Sequence, residues 1–180
     1  EIGRVKTRLA KDIGIVQATD WYRRNGAKVI RDLSRDARWR TILSVSPNST
    51  AFDDSFQNVW PEQVVRIPQG HGDLGQRMAR VFKQLPPGPA MIVGGDIPGI
   101  SKDHIARGFG ALGSHDAVFG PANDGGYWLV GQKRVRPMPN MFVNVRWSTE
   151  YALRDTLANC TGRSVAMVDE LCDVDDATDL

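Results

Sequence analysis

The sequence is poor in cysteine, in long apolar runs and in excess charge of one sign. Its only cysteines are Cys160 and Cys172, which lack the close spacing and companion ligands of a zinc site. A disulfide-stabilised secreted domain carries more cysteines, so we expect a reducing, cytoplasmic environment. No apolar run approaches the roughly 20 residues that span a bilayer, and no signal-like segment opens the chain. We therefore expect neither a membrane anchor nor export.

The charges nearly cancel, since 23 Lys and Arg face 21 Asp and Glu for a net charge of +2. A surface that coats nucleic acid needs a larger excess, so we expect no nucleic acid partner and no membrane partner. With 41% hydrophobic residues, the 180 residues can bury one core, which predicts a single domain over residues 1–180. Because Glu1 leads directly into a basic segment, we also expect this domain to lack its first strand.

The apolar pattern predicts an α/β fold. Short β-like runs alternate with helical ones, which is typical of a Rossmann-like, mostly parallel mixed sheet flanked by helices. Strands are predicted at 41–46, 64–68, 90–93, 117–119, 127–130 and 164–168. Helices are predicted over 15–36, from Asp73 with a capping box to Gln76, after Ser101, and after Ser148 with Glu150 in the first turn. The polar stretch from Arg23 to Gly26 is interpreted as a solvated helix face.

The strand at 90–93 is followed by Gly94, Gly95 and Asp96. In open α/β sheets, ligands collect at the carboxyl ends of strands, so Asp96 is placed where a cleft is expected. Its carboxylate suits Mg²⁺ or Mn²⁺ held against phosphate oxygens, because hard cations prefer oxygen ligands. The small residues Gly94 and Gly95 let backbone or ligand approach closely. The alternative is that Asp96 only caps a turn.

The opening segment Gly3-Arg4-Val5-Lys6-Thr7-Arg8-Leu9 places three cations within five positions. Arginine offers a planar fork for phosphate oxygens and lysine a mobile charge, so the segment is suited to clamp a diphosphate and stabilise it as a leaving group. Its spacing is not that of a P-loop. A short basic run is also typical of a solvated loop, and that alternative stays open.

The segment Asp124-Gly125-Gly126 lies between two apolar runs and predicts a turn or hairpin. A polar loop at a strand end can also bind an acceptor or supply a general base, so Asp124 is a candidate catalytic residue. We expect Gly125 and Gly126 to line the substrate site beside it. Gln69 joins them because it precedes a helix whose N-terminus can hold an anion.

The tail from Leu171 to Leu180 is rich in aspartate. It contains Asp173, Asp175, Asp176 and Asp179. Two interpretations are equally favoured, an acidic helix start and a second contribution to a metal site.

Six segments, taken together, carry a family resemblance. They are GRVKTRLA, GDLGQRM, GGDIPGI, GPANDGGYWLVG, FVNVRWSTEYAL and DVDDATDL. In this order they resemble the glycosyltransferase-A-type family of bacterial selenodomain-associated or arsenosugar-biosynthesis transferases, and they span nearly the whole chain. The resemblance implies a nucleotide-diphospho-sugar transferase fold.

The resemblance also implies roles for particular residues. Thr7-Arg8-Leu9 and the Asp96-x-Pro98 step are similar to sugar-nucleotide, molybdopterin and phospholactate nucleotidyltransferases. By that similarity Lys6 and Arg8 act on the phosphates as catalytic residues, and Asp96 binds the metal. The nucleotide-binding set is Gly3, Arg4, Lys6, Thr7, Arg8, Gly95 and Asp96, and the metal set is Asp96 and Asp175. The sequence departs from the family pattern in having Asp176-Ala177-Thr178 where Thr-Pro-Glu is usual.

Three functions are compatible with these features. The leading hypothesis is a magnesium- or manganese-dependent glycosyltransferase that moves a sugar from a nucleoside diphosphate sugar to a small acceptor. The second is a nucleotidyltransferase that joins a nucleoside triphosphate to a small phosphorylated molecule and releases pyrophosphate. The third is an inactive nucleotide-binding protein, suggested by the lone carboxylate at the strand end.

Overall fold

The computed structural model describes residues 6–53, 61, 64–172, 174 and 176–177. The helices are α1 (Thr7–Ile13), α2 (Ile15–Ser34), α3 (Leu74–Gln84), α4 (Lys102–Ser114) and α5 (Ala152–Ala158), with a 3₁₀ turn at Asn48–Ala51. The strands are β1 (Ile42–Val45), β2 (Val65–Pro68), β3 (Ala90–Val93), β4 (Ala117–Pro121), β5 (Tyr127–Gln132) and β6 (Val165–Met167). No helix in these ranges is long and apolar enough to cross a membrane.

The strands form two sheets. β1 and β2 pair in parallel, and the four-stranded sheet has the order β3-β5-β4-β6. Within the four-stranded sheet β5 runs antiparallel to both of its neighbours, whereas β4 and β6 are parallel. β3, β4 and β6 therefore end at the same edge, and β5 begins there. The predicted mixed α/β fold is confirmed.

Successive residues of the central strands point to opposite faces of the sheet, and each face carries its own core. Val118 and Leu129 pack with the helices α2 and α4 on one face. Phe119 and Val130 pack with α3 on the other, together with the segment around Phe142 and residues of α5. Phe119 and Leu129 are fully buried. This double packing holds the strand ends that carry the site in fixed positions.

Most of the predicted elements are confirmed. The helix that starts after Asp73 has the expected capping box, in which the Asp73 carboxylate accepts a hydrogen bond from the Gln76 amide and the Gln76 side chain accepts one from the Asp73 amide. The strand at Ala90–Val93 has its predicted bounds. Tyr127 and Trp128 lie on β5 and take part in opposite cores, as the pattern indicates.

Two local predictions are wrong. The basic segment is not a loop throughout, because α1 begins at Thr7. Glu150 does not lie in the first turn of α5, which starts only at Ala152. The later start of α5 has a local cause. Ser148 has a left-handed backbone with φ 59°, which interrupts a right-handed helix. Thr149 Oγ1 then accepts a hydrogen bond from the Tyr151 amide at 3.3 Å.

A buried carboxylate ties β4 to β6 at the start of both strands. Asp116 is 5% exposed. It accepts two hydrogen bonds from the Arg136 guanidinium, at 2.9 and 2.6 Å, and two from Ser164. The Arg136 guanidinium, followed by the hydrogen bonds of Ser164, holds the pKa of Asp116 well below its usual range. The ionised form of this carboxyl is therefore part of the folded structure.

We expect Asp116→Asn to lower stability at pH 7 and to flatten its dependence on pH. A carboxyl whose folded pKa is depressed contributes stability above its unfolded pKa of about 4, and this contribution is lost as the pH falls further. Urea unfolding at pH 7 and pH 3 measures both effects. Asp32→Asn is the control, because it breaks only the exposed Lys28–Asp32 pair. Equal pH dependence in Asp116→Asn and the unaltered protein would contradict this assignment.

Candidate functional site

The edge at which β3 ends and β5 begins brings two of the predicted site segments together. β3 continues into Gly94, Gly95 and Asp96, while the Asp124–Gly126 turn leads into β5. The Gly94 amide donates a hydrogen bond to the Trp128 carbonyl at 2.9 Å, which extends the pairing past the end of β3. Antiparallel pairing of β3 and β5 thus places both segments on one edge of the sheet.

Lys6 and Asp96 meet in an ion pair across 90 positions of sequence. Lys6 Nζ lies 2.7 Å from Asp96 Oδ2, and the two side chains are 7% and 34% exposed. Lys6 stands just before α1 with φ 47°, in the left-handed region. The structure therefore brings one predicted phosphate ligand onto the predicted metal ligand. Thr7 and Arg8 follow in the first turn of α1 with exposed side chains.

Sequence reasoning missed the contribution of α2 to this site. Asn25 Nδ2 lies 3.5 Å from the Gly95 carbonyl oxygen, and a Cβ on Gly26 would lie 3.8 Å from that same oxygen. Tyr22 is half-buried on this side of the helix. Burial raises the pKa of its hydroxyl, the Asp96 charge raises it further, and the Lys6 charge lowers it. The solvated-face interpretation holds for Arg23 and Arg24, which are exposed, but not for Asn25 and Gly26.

The C-terminal tail returns to α1. Val174 is 2% exposed and packs with Leu9 of α1 and Ala18 of α2. The Ala177 amide donates a hydrogen bond to the Asp12 carboxylate at 3.2 Å. The described part of the tail therefore packs against α1, the helix that directly follows Lys6. Three predicted site residues, Gly3, Arg4 and Asp175, lie outside the described residues.

The Asp124–Gly126 segment forms the predicted hairpin turn. The Asp124 carboxylate accepts a hydrogen bond from the Gly126 amide at 2.8 Å. Gly125 has φ 81°, and a Cβ on it would come within 2.3 Å of the Glu150 carbonyl oxygen. Its own carbonyl accepts a hydrogen bond from the Leu153 amide at 3.0 Å. The turn is thus locked onto the segment before α5, with Asp124 exposed at its tip.

Gln69 lies at the end of β2 and is bound to β1. Its side-chain amide donates a hydrogen bond to the Ser44 carbonyl at 3.1 Å, and its backbone amide donates one to the Val45 carbonyl. The helix that follows contacts Trp147, since a Cβ on Gly75 would lie 2.6 Å from that ring.

Trp147 also lies edge-on to Tyr127, with ring centroids 6.4 Å apart. α3 and β5 therefore share Trp147 as a neighbour, and Gln69 and Asp124 lie in the loops that precede these two elements. Within the described part of the chain, no hydrogen bond joins either of them to Asp96.

The donor set around Asp96 is small. Among residues 6–53, 61, 64–172, 174 and 176–177, no three Asp, Glu, His or Cys side chains come together in a way that could hold a metal ion. Mg²⁺ is often bound by one or two carboxylates, with water and substrate phosphates completing its shell. A single strand-end carboxylate such as Asp96 is compatible with that mode of binding.

The comparisons with known proteins agree with this architecture. Residues 29–149 match the family described as "Uncharacterized protein conserved in bacteria (DUF2064)". The chain belongs to this family. The matched DUF2064 residues include Asp96 and the Asp124–Gly126 turn but not Lys6.

Two crystal structures share the fold of this DUF2064 chain. One, from Desulfovibrio desulfuricans G20, is a protein assigned by inference as a nucleotide-diphospho-sugar transferase. It has a TM-score of 0.85 and 26% identity over 98% of this chain and 78% of that one. The other is 4-diphosphocytidyl-2C-methyl-D-erythritol synthase from Anaerococcus prevotii DSM 20548. It has a TM-score of 0.58 and 11% identity over 86% of this chain and 82% of that one.

No curated protein matches the chain. The predicted nucleotide-diphospho-sugar transferase fold is confirmed, while the link to selenodomain or arsenosugar proteins stays a prediction.

We expect Gly125→Ala to destabilise the protein by roughly 1–3 kcal/mol, because alanine would be strained at this φ and would collide with the Glu150 backbone. Urea unfolding of the two proteins gives the difference. The matched control is Gly110→Ala in α4, where a Cβ meets nothing within 4 Å. This control should instead gain about 0.5–1 kcal/mol, since glycine weakens a helix interior. A neutral Gly125→Ala would show that the turn is not locked.

Proposed function

We propose that this protein is a transferase that acts on a nucleotide-linked substrate. The observation that carries the proposal is the Lys6–Asp96 ion pair at the end of β3. In this pair a cation that would suit phosphate oxygens lies beside a carboxylate that would suit Mg²⁺ or Mn²⁺, at the sheet edge where α/β proteins bind ligands. The names of the two structural neighbours support the same class, since one is assigned by inference as a nucleotide-diphospho-sugar transferase and the other is 4-diphosphocytidyl-2C-methyl-D-erythritol synthase.

The favoured reaction is glycosyl transfer from a nucleoside diphosphate sugar. In it the bond between the anomeric carbon and the diphosphate oxygen breaks, and a bond to an acceptor oxygen forms. Lys6 and Arg8 would stabilise the charge on the leaving diphosphate. Asp124, exposed on the turn at the same sheet edge, would accept the proton of the acceptor hydroxyl. Gln69, Gly125 and Gly126 would line the acceptor side.

A bound metal ion would neutralise part of the diphosphate charge. Asp96 would hold it, joined by Asp175 if the tail contributes. In the structure Lys6 Nζ already lies on Asp96 Oδ2, so a metal ion and Lys6 compete for this carboxylate.

Nucleotidyl transfer is the second candidate. The small donor set around Asp96 favours it, as does the similarity of Lys6-Thr7-Arg8-Leu9-Ala10 to the loop of phospholactate guanylyltransferases. In that reaction a phosphate oxygen of the acceptor attacks the α-phosphate of a nucleoside triphosphate, and pyrophosphate leaves.

Product identification separates the candidates. The protein is incubated with Mg²⁺ or Mn²⁺ and pools of nucleoside triphosphates, nucleotide sugars and small acceptors, and products are identified by mass spectrometry. Glycosyl transfer releases a nucleoside diphosphate, and we expect that result. Pyrophosphate would instead indicate nucleotidyl transfer. Binding of nucleotide without any product would identify an inactive nucleotide-binding protein.

We expect Lys6→Met and Asp96→Asn to shift metal affinity in opposite directions. Removing the Lys6 charge frees Asp96, so Mn²⁺ alone should bind Lys6→Met more tightly than the unaltered protein, whereas Asp96→Asn should not bind it. Nucleotide affinity should fall in Lys6→Met by about tenfold to a hundredfold, the worth of one hydrogen bond to a charged group. Isothermal titration calorimetry measures both constants.

Lys28→Ala is the matched control for these variants. It removes an exposed lysine from the Lys28–Asp32 pair on α2. Neither Mn²⁺ nor nucleotide affinity should change. If Asp96→Asn binds Mn²⁺ as the unaltered protein does, Asp96 is not the metal ligand.

A further inference from the structure

One face of α2 forms a wall beside the Lys6–Asp96 pair. Tyr22, Asn25 and Gly26 are spaced i, i+3 and i+4, so they share this face of the helix. Asn25 and Gly26 lie against the Gly95 carbonyl. Asn25 Nδ2 is 3.5 Å from the Gly95 oxygen, and a Cβ on Gly26 would lie 3.8 Å from it. The same face continues into Val29 and Leu33, which pack in the core. The position of Tyr22 relative to Asp96 is therefore fixed by packing along most of the helix.

The Tyr22 side chain combines closeness to the two charges with an unused hydrogen-bonding group. It lies near enough to Asp96 and Lys6 for both charges to act on its hydroxyl. The ring is half-buried. Within the described part of the chain, the Tyr22 hydroxyl makes no hydrogen bond, and its oxygen is not among the buried unpaired polar atoms, so a ligand can reach it. In contrast, the Tyr127 hydroxyl lies 3.5 Å from Thr156 Oγ1.

We infer that Tyr22 is a substrate-binding residue whose hydroxyl donates a hydrogen bond to a phosphate oxygen of the nucleotide. This inference rests on the proposed function, because it takes Lys6 as the group that attracts the phosphate. A phosphate group offers several acceptor oxygens, and Lys6 can satisfy only some of them. Tyr22 supplies a further donor from a helix, whereas Lys6 stands outside regular structure. The ligand class is thus a nucleoside diphosphate or a compound that contains one.

Anion binding and cation binding at this site would depend on different side chains. A neutral hydroxyl donor strengthens binding of phosphate oxygens, while Mn²⁺ requires the Asp96 carboxylate. Tyr22→Phe keeps the ring and its packing and removes only the hydroxyl. The variant should therefore lose affinity for nucleotide, keep the Mn²⁺ affinity of the free protein, and unfold at the same temperature.

The test titrates GDP, UDP, ADP and CDP in the presence of Mg²⁺ into the unaltered protein, Tyr22→Phe, Tyr127→Phe and Lys6→Met by calorimetry. For the nucleotide that binds, we expect Tyr22→Phe to raise Kd about tenfold, as loss of one hydrogen bond to a charged group implies. Tyr127→Phe removes the hydroxyl beside Thr156 in the core and should leave Kd unchanged. With a nucleotide sugar as substrate, Tyr22→Phe should raise KM and leave kcat nearly unaltered.

Each other outcome has a definite meaning. If Lys6→Met weakens nucleotide binding but Tyr22→Phe does not, Tyr22 does not bind the phosphate and the proposed function stands. A fall in kcat with an unchanged KM would also overturn the binding role of Tyr22. If the unaltered protein binds none of the nucleotides or nucleotide sugars, the proposed function fails and the inference fails with it.

Discussion

The site depends on the pairing of β5 between β3 and β4. Because β5 runs antiparallel to both neighbours, its first residue lies at the edge where β3 and β4 end. The turn before β5 and the segment after β3 therefore share one edge, although about 30 residues separate Asp96 from Asp124. A parallel β5 would place its start at the opposite edge. The hydrogen bond from the Gly94 amide to the Trp128 carbonyl is the last link of this pairing.

The Lys6–Asp96 pair is held by a different set of interactions. Leu9 packs with Ala18 of α2 and with Val174 of the tail, so α1 is fixed by apolar contacts from the next helix and from a segment distant in sequence. Those contacts position Lys6, which stands immediately before α1. A lysine side chain with 7% exposure needs a compensating charge, and Asp96 provides one. Apolar packing of α1 thus helps to hold the charged group of Lys6 at the end of β3.

The sequence was most informative where structure is determined locally. The capping box of Asp73 and Gln76 depends on residues three positions apart, and the turn at Asp124 depends on adjacent glycines, so both could be predicted. Asp96 was found because it directly follows a short apolar strand. The family resemblance implied a phosphate role for Lys6 and a metal role for Asp96, but their ion pair was not predicted and is seen only in the structure. No local pattern specifies which distant cation reaches a given strand end.

The contribution of α2 was missed because charge was given more weight than spacing. Arg23 and Arg24 dominate that stretch and are exposed, which made the whole segment look solvated. Tyr22, Gly26, Val29 and Leu33 nevertheless recur at helical spacing and form one continuous stripe. Weighing that stripe separately from its charged neighbours would have placed Tyr22 on the inner face. Its closeness to Asp96 would still have required the packing of α2 against the residues after β3.

The two parts of the proposed site differ in how they are held, and this difference bears on how a ligand would enter. Backbone hydrogen bonds and a close contact with Glu150 lock the turn at Asp124, so it needs no rearrangement. Lys6 and Asp96 are joined by their side chains. A lysine stem has several rotatable bonds and can move its charge without moving α1. If a diphosphate and a metal ion bind as proposed, Lys6 would exchange Asp96 for phosphate and Asp96 would exchange Lys6 for the metal. Each charge would then keep a partner, so binding would not leave an unpaired charge at the site.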